Sequence, residues 1–276
     1  MEYILVPTDF SKNAFNALEY AIDVAKLLEV KIMVLHTYEV PFGGASYLKN
    51  MDYELKKIAE EQIVELHRDI VDKGLNNIVS IEFDNLNTDL VSGIRDMVET
   101  NDIGLVIMGT AGATGLKEIF LGSNTSHVIK NISCPVIAVP KNASFKKIEN
   151  IIFATDFDMN CENNDMSLII DLTRRLRARL TMVNIQTVAT NFAKTRDNAD
   201  KFLEECKDAL KEINYDYHYI IDEDITNGIN KAYKNNNADL LVMIKKSHSL
   251  IDHLFNKSMT MAVVSDAKLP LLTIIH

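Results

Sequence analysis

Gly109-Thr110-Ala111-Gly112, followed after nine residues by Gly122-Ser123-Asn124-Thr125, is the spacing in this chain that suits chemistry, and the chemistry is holding a phosphate. The run Leu105-Val106-Ile107-Met108 is short and wholly apolar, as buried strands of parallel sheets are. Gly109 and Gly112 then let the backbone turn with no Cβ in the way, so peptide N–H groups can approach an anion closely. Gly122-Ser123 opens an amphipathic segment from Ser123 to Lys130. Its first N–H groups and the positive end of its dipole face the same anion, with the hydroxyls of Ser123 and Thr125 nearby. The alternative is an ordinary strand-to-helix loop; three glycines plus a hydroxyl at a helix start favour a nucleotide.

With Pro7-Thr8-Asp9 ending a first strand and Leu35-His36-Thr37 a second, the pattern G-x2-G-x9-G-[ST] resembles the nucleotide-binding branch of the universal stress protein family. The resemblance spans the chain as two tandem copies of the family's domain. It implies an ATP-binding α/β fold with five parallel strands per copy, ordered 3-2-1-4-5, the copies related by a pseudo-two-fold axis. It also implies a nucleotide site of Pro7, Thr8, Asp9, Thr37, Met108, Gly109, Gly112, Gly122, Ser123, Asn124 and Thr125. Asp9 would meet ribose and adenine, and the Thr37 backbone the adenine. Met108, the glycines, Ser123, Asn124 and Thr125 would meet ribose and phosphates. The implied ligand is ATP, or AMP or ADP, with or without magnesium. Two departures stand out: Thr37 where the base-facing position often carries Val, and the polar Asn124 after Ser123. By the same resemblance, Pro135–Val139 and Pro270–Ile275 should pair as an intramolecular seam; a homodimer stays open.

The elements that position these residues come from a half-length repeat. Leu5-Val6-Pro7-Thr8-Asp9-Phe10 matches Ile152-Phe153-Ala154-Thr155-Asp156-Phe157, and Asp89-Leu90-Val91-Ser92-Gly93-Ile94 matches Asp224-Ile225-Thr226-Asn227-Gly228-Ile229. Cys134-Pro135-Val136-Ile137 matches Leu269-Pro270-Leu271-Leu272. Strands are expected near residues 2–8, 31–37, 77–83, 104–109 and 134–139, with helices near 12–29, 52–72, 88–100 and 123–131. Alternation of strand and helix predicts a parallel sheet covered on both faces. In the second helix Leu55, Ile58, Ile63, Leu66 and Ile70 form the expected apolar stripe. The second copy predicts strands near 149–155, 180–185, 215–221, 239–244 and 270–275. The expected boundaries are a nucleotide-binding domain over 1–140, a linker over 141–148 and a degenerate copy over 149–276. The glycine-rich Val40-Pro41-Phe42-Gly43-Gly44 reads as a lid or simply a loop.

Nine of the ten glycines lie in the first copy, Gly228 being the exception. Aligned on the fourth strand, Lys245 replaces Gly109 and His248 replaces Gly112; aligned on the next helix, Lys257 replaces Gly122, while Ser258 and Thr260 keep the hydroxyls. Side chains then stand where phosphates need bare backbone, so the second site reads as closed. Lys245, Lys246 and Lys257 either fill the vacancy and hold Asp156, or bind another anion as point charges.

At 276 residues the chain suits two domains. A net charge of −10 repels polyphosphate backbones and anionic headgroups, which argues against nucleic acid and membrane partners. No run approaches a membrane span and no leader is evident, so a cytoplasmic protein is expected. Cys134, Cys161 and Cys206 have no paired spacing and read as inert thiols. His248 and His253, five apart, do not share a helix face, and no metal site is expected. No Walker lysine follows Gly122, Lys117 lying mid-loop. Asp9 could hold a metal or a ribose hydroxyl by spacing alone; the resemblance favours the ribose. Binding in a stress-response or regulatory role therefore leads. An enzyme that cleaves or transfers the nucleotide would draw its base from His36 or His127, and a nucleotide-free scaffold is the third reading.

Overall fold

A computed structural model describes residues 1–40, 45–110, 122–159, 161, 164–187, 192–245 and 269–275. They form two compact units that meet in the chain between Phe145 and Lys146.

The first unit runs β1 (Tyr3–Pro7), α1 (Lys12–Leu28), β2 (Lys31–Tyr38), α2 (Ala45–Asp72), β3 (Ile81–Asn87), α3 (Leu90–Thr100), β4 (Ile103–Gly109), α4 (Ser123–Asn131) and β5 (Val136–Val139). Its strands lie in the order β3-β2-β1-β4-β5, all parallel. Ile4, Leu5 and Val6 are fully buried, as a central strand covered on both faces requires. Helix α1 begins where the Ser11 hydroxyl accepts the Ala14 N–H, and it ends at Glu29, a left-handed cap at φ 55°. Every strand lies parallel, so all five carboxyl ends reach one edge, where ligands of such sheets bind.

Three expectations change. The third strand begins at Ile81 rather than near 77, because Gly74 turns left-handed at φ 68° and Leu75–Asn77 form a 3-10 turn. Ile78 and Val79 carry strand-like side chains without joining the ladder. Helix α2 starts earlier, at Ala45. On it Ala59, Leu66 and Ile70 are buried while Ile58 is exposed, so the inward stripe passes through the small Ala59 instead. The loop reading at 41–44 lies outside the described residues.

The second unit repeats the plan: β6 (Asn150–Ala154), α5 (Asn164–Leu176), β7 (Arg179–Gln186), α6 (Phe192–Glu205), α7 (Lys207–Leu210), β8 (Asn214–Ile221), α8 (Ile225–Asn236), β9 (Leu240–Lys245) and β10 (Leu271–Ile275). The parallel order is β8-β7-β6-β9-β10, the topology of the first unit. The expected inertness of all three cysteines is corrected here. Cys161 and Cys206 form a disulfide, their Cα atoms 5.1 Å apart although 45 residues separate them. Sequence spacing could not show it, since the fold alone brings the loop after β6 to the turn between α6 and α7. Cys134 stays a buried thiol, its pKa pushed up to about 12 by burial. No described helix is long and apolar enough to cross a membrane.

Candidate functional site

At the carboxyl edge of the first sheet, the Thr8 N–H donates to the Leu35 carbonyl at 2.8 Å, extending the β1–β2 ladder past Pro7. The Thr8 hydroxyl then accepts the Phe10 N–H at 3.0 Å and holds Phe10 left-handed at φ 59°, an unusual state for an aromatic residue. Asp9 is exposed at the apex, one carboxylate oxygen accepting the Ser11 N–H at 3.1 Å. Asp9 thus stands at the carboxyl end of β1, on the edge that the parallel strands share.

His36 lies beneath this turn. Its Nδ1 donates to the Thr8 carbonyl at 2.9 Å, and its ring sits 4.6 Å from that of Phe10. The geometry makes it a brace for the Asp9 loop. His127 is exposed on α4.

Thr37 forms the floor between β2 and α3. A Cβ added to Gly93 would come within 2.7 Å of the Thr37 methyl carbon, so only glycine lets α3 approach this closely. Asp89 caps α3 by accepting the N–H groups of Val91 and Ser92 at 3.0 and 3.1 Å. Those bonds, with the Ser92 hydroxyl foremost, hold its carboxyl below the usual range. The repeated Asp-x3-Gly of the sequence is thus a cap plus a close approach: Asp224 accepts the Asn227 N–H at 2.9 Å, and a Cβ on Gly228 would meet the Ile185 side chain at 2.5 Å. Further out, Asp52 accepts the Tyr38 hydroxyl and the Asn87 amide, tying α2 to the ends of β2 and β3. Nothing in the residue spacing pointed to that rim.

The anion-binding elements meet at β4 and α4. Thr110 donates to the Val139 carbonyl, and the Gly122 N–H donates to Thr110, seating the start of α4 against the end of β4. Ser123, Asn124 and Thr125 are the first three residues of α4, whose N–H groups have no carbonyl one turn earlier to bind. Ser123 and Asn124 are exposed.

Three sequence readings change in physical detail. Gly109 is small because α1 passes over it: an added Cβ would lie 2.8 Å from Cγ of Asn13 and 3.0 Å from its carbonyl oxygen. Gly122 has φ −51°, open to any residue, so a substitution there acts through the new side chain and not through a strained turn. Thr125 is buried and its hydroxyl donates to the Gly109 carbonyl at 2.7 Å, so that proton locks β4 to α4. Met108 is buried below them, at the end of the strand. Pro7, Thr8, Asp9, Thr37, Met108, Gly109 and Gly122–Thr125 thus converge on one sheet edge; Gly112 lies outside the described residues.

The family model described as the universal stress protein family matches residues 1–140.

The chain belongs to the universal stress protein family.

A universal stress protein of Methanocaldococcus jannaschii is 32% identical over 153 residues, covering 50% of this chain and 81% of that protein. One from Synechocystis is 24% identical over 298 residues, covering 99% of both, as a tandem member would. The crystal structure of an Archaeoglobus fulgidus universal stress protein covers 99% of this chain and 96% of its own with a TM-score of 0.68 at 20% identity, which shows the shared fold.

In the second unit of this universal stress protein the equivalent loop keeps its frame. The Thr155 hydroxyl accepts the Phe157 N–H at 3.0 Å, Phe157 is left-handed at φ 57°, and the Asn184 amide donates to the Thr155 carbonyl at 2.8 Å in place of His36. The surroundings differ. Phe157 is fully buried against Phe202, with Tyr217 and Tyr219 beside it, and Asp156 is half-buried. Lys245 ends β9; Lys246, His248, Lys257, Ser258 and Thr260 lie outside the described residues.

Proposed function

We propose that this universal stress protein binds one adenine nucleotide, ATP in the first instance, in the domain over 1–140, and serves a stress-response or regulatory role. The observation that carries this reading is the convergence at one sheet edge of an exposed Asp9, a Thr37 floor and the N-terminus of α4, where Ser123 and Asn124 are exposed and Thr125 is tied to β4. Asp9 suits a ribose hydroxyl acceptor, Thr37 a base-facing surface, and the N–H groups of Ser123, Asn124 and Thr125 the phosphates. Gly112 would close the phosphate loop. Magnesium, where present, would ride on the phosphates. AMP and ADP present the same adenine and ribose and are weaker ligands on this reading, having fewer phosphates for α4.

The domain over 149–276 is the degenerate copy on this reading, joined through 141–148, and the cytoplasm is the compartment proposed. Its aromatic cover over Phe157 supports a closed site. Binding rather than turnover is favoured because the ring nitrogen of His36 nearest the loop is committed to Thr8. Titration calorimetry of the full chain with ATP is the test: the reading expects saturable binding, lost in Gly122→Lys, and an ATPase rate below about 1 s⁻¹. Faster turnover abolished by His36→Ala would favour the enzyme reading instead.

A further inference from the structure

The second copy departs from the first in the loop after its first strand, and that departure carries a cysteine. Helix α1 starts at Lys12, soon after Asp9, whereas α5 starts only at Asn164, well after Asp156. The lengthened segment holds Cys161, which is half-buried. Its partner Cys206 is fully buried at the end of α6, where its N–H donates to the Phe202 carbonyl at 2.9 Å. The Phe202 ring lies 5.8 Å from Phe157. The disulfide and the aromatic contact therefore fasten one loop to one helix, and that loop carries Asp156 and Phe157.

We propose that Cys161 and Cys206 form a reversible thiol–disulfide exchange site whose co-reactant is a low-molecular-weight disulfide of the glutathione class. In the reduced chain the Cys161 thiolate attacks one sulfur of the small disulfide, expels one thiolate and forms a mixed disulfide. Cys206 then gives its proton to a solvent base and attacks the Cys161 sulfur, expelling the second thiolate. Two electrons pass from the protein to the small disulfide, which leaves as two thiols. Cys161 reacts first because it is the member of the pair that solvent reaches. Cys134 takes no part, being buried and free in the first unit. Oxidation fastens the Asp156 loop to α6; reduction releases it.

The test equilibrates the full chain with mixtures of reduced and oxidised glutathione, quenches with acid, alkylates and reads the mass. The parent should interconvert between a dithiol and an internal disulfide as the mixture changes. Cys206→Ser should accumulate one glutathionyl group on Cys161, and Cys161→Ser at least about tenfold less. Amides over 155–159 should exchange with solvent on the order of tenfold faster in the reduced parent. A parent that keeps both thiols, or keeps the disulfide, at every ratio overturns the proposal without reliance on any variant. Equal adducts on the two variants overturn the assigned order of attack, and unchanged exchange over 155–159 overturns the fastening role.

Discussion

Asp9 and Asp156 close equivalent strands on the same backbone frame, yet one stands exposed and the other half-buried beside an interred phenylalanine. The shared part is local: a threonine hydroxyl holds a left-handed phenylalanine, and a polar side chain from the neighbouring strand braces the threonine carbonyl. The unshared part is tertiary. Around Asp9 the helix begins at once, at Lys12; around Asp156 a longer loop is pinned by a disulfide and flanked by Phe202, Tyr217 and Tyr219. The comparison teaches that the turn itself is a property of the fold, and that ligand access depends on what the next elements place over it.

The largest effect expected from breaking this contrast follows loss of the disulfide. Cys206→Ser should lower the stability of the second unit by ~2–4 kcal/mol, given the length of the loop it closes, and leave the first unit unchanged. Urea unfolding followed by hydrogen exchange, which reports each unit separately, is the measurement. Next comes a paired substitution at the two aspartates. Asp9→Ala should weaken ATP binding by about 10–100-fold, the loss of a charge-assisted hydrogen bond, while Asp156→Ala should leave it unchanged. Equal losses in calorimetry would dissolve the distinction between the copies.

The glycines of α3 and α8 sharpen what is shared. Gly93→Ala and Gly228→Ala should each cost about 1–3 kcal/mol by overpacking against Thr37 and Ile185, and only the first should also weaken nucleotide binding. Thermal unfolding with and without ATP separates the two effects.

Much of this architecture was legible in the residues. Asp89 to Gly93 and Asp224 to Gly228 were legible as a repeat, and in the structure each pairs a helix cap with a tight helix–strand approach, both of which demand specific residue types. The Gly122-Ser123 helix start was legible from its glycine and hydroxyl, although the Gly122 backbone itself suits any residue. What stayed hidden depends on partners distant in the chain. Asn13 makes Gly109 obligatory, the Gly109 carbonyl takes the Thr125 proton, and Cys206 reaches Cys161 only once α6 has docked. The third strand was misplaced because Ile78 and Val79 look like strand residues while the 3-10 turn before them consumes chain length.

The smallest effect concerns that cap. Asp89→Ala should cost about 1 kcal/mol, less any part that solvent screens at this exposed site. Because the folded carboxyl titrates below its unfolded value, near ~3.9, the contribution is fully present above that pH and fades as pH falls through the lower folded value. Stability curves of parent and variant should therefore converge in strong acid and stay separated at neutral pH.

On the proposed reading the first copy takes a nucleotide and the second does not. Calorimetric titration of the full chain with ATP tests it most directly, read as a ratio of nucleotide to chain. One site per chain is expected, abolished by Gly122→Lys and unaffected by substitution of Lys257. Two sites per chain, no binding at all, or equal losses in both variants would contradict it.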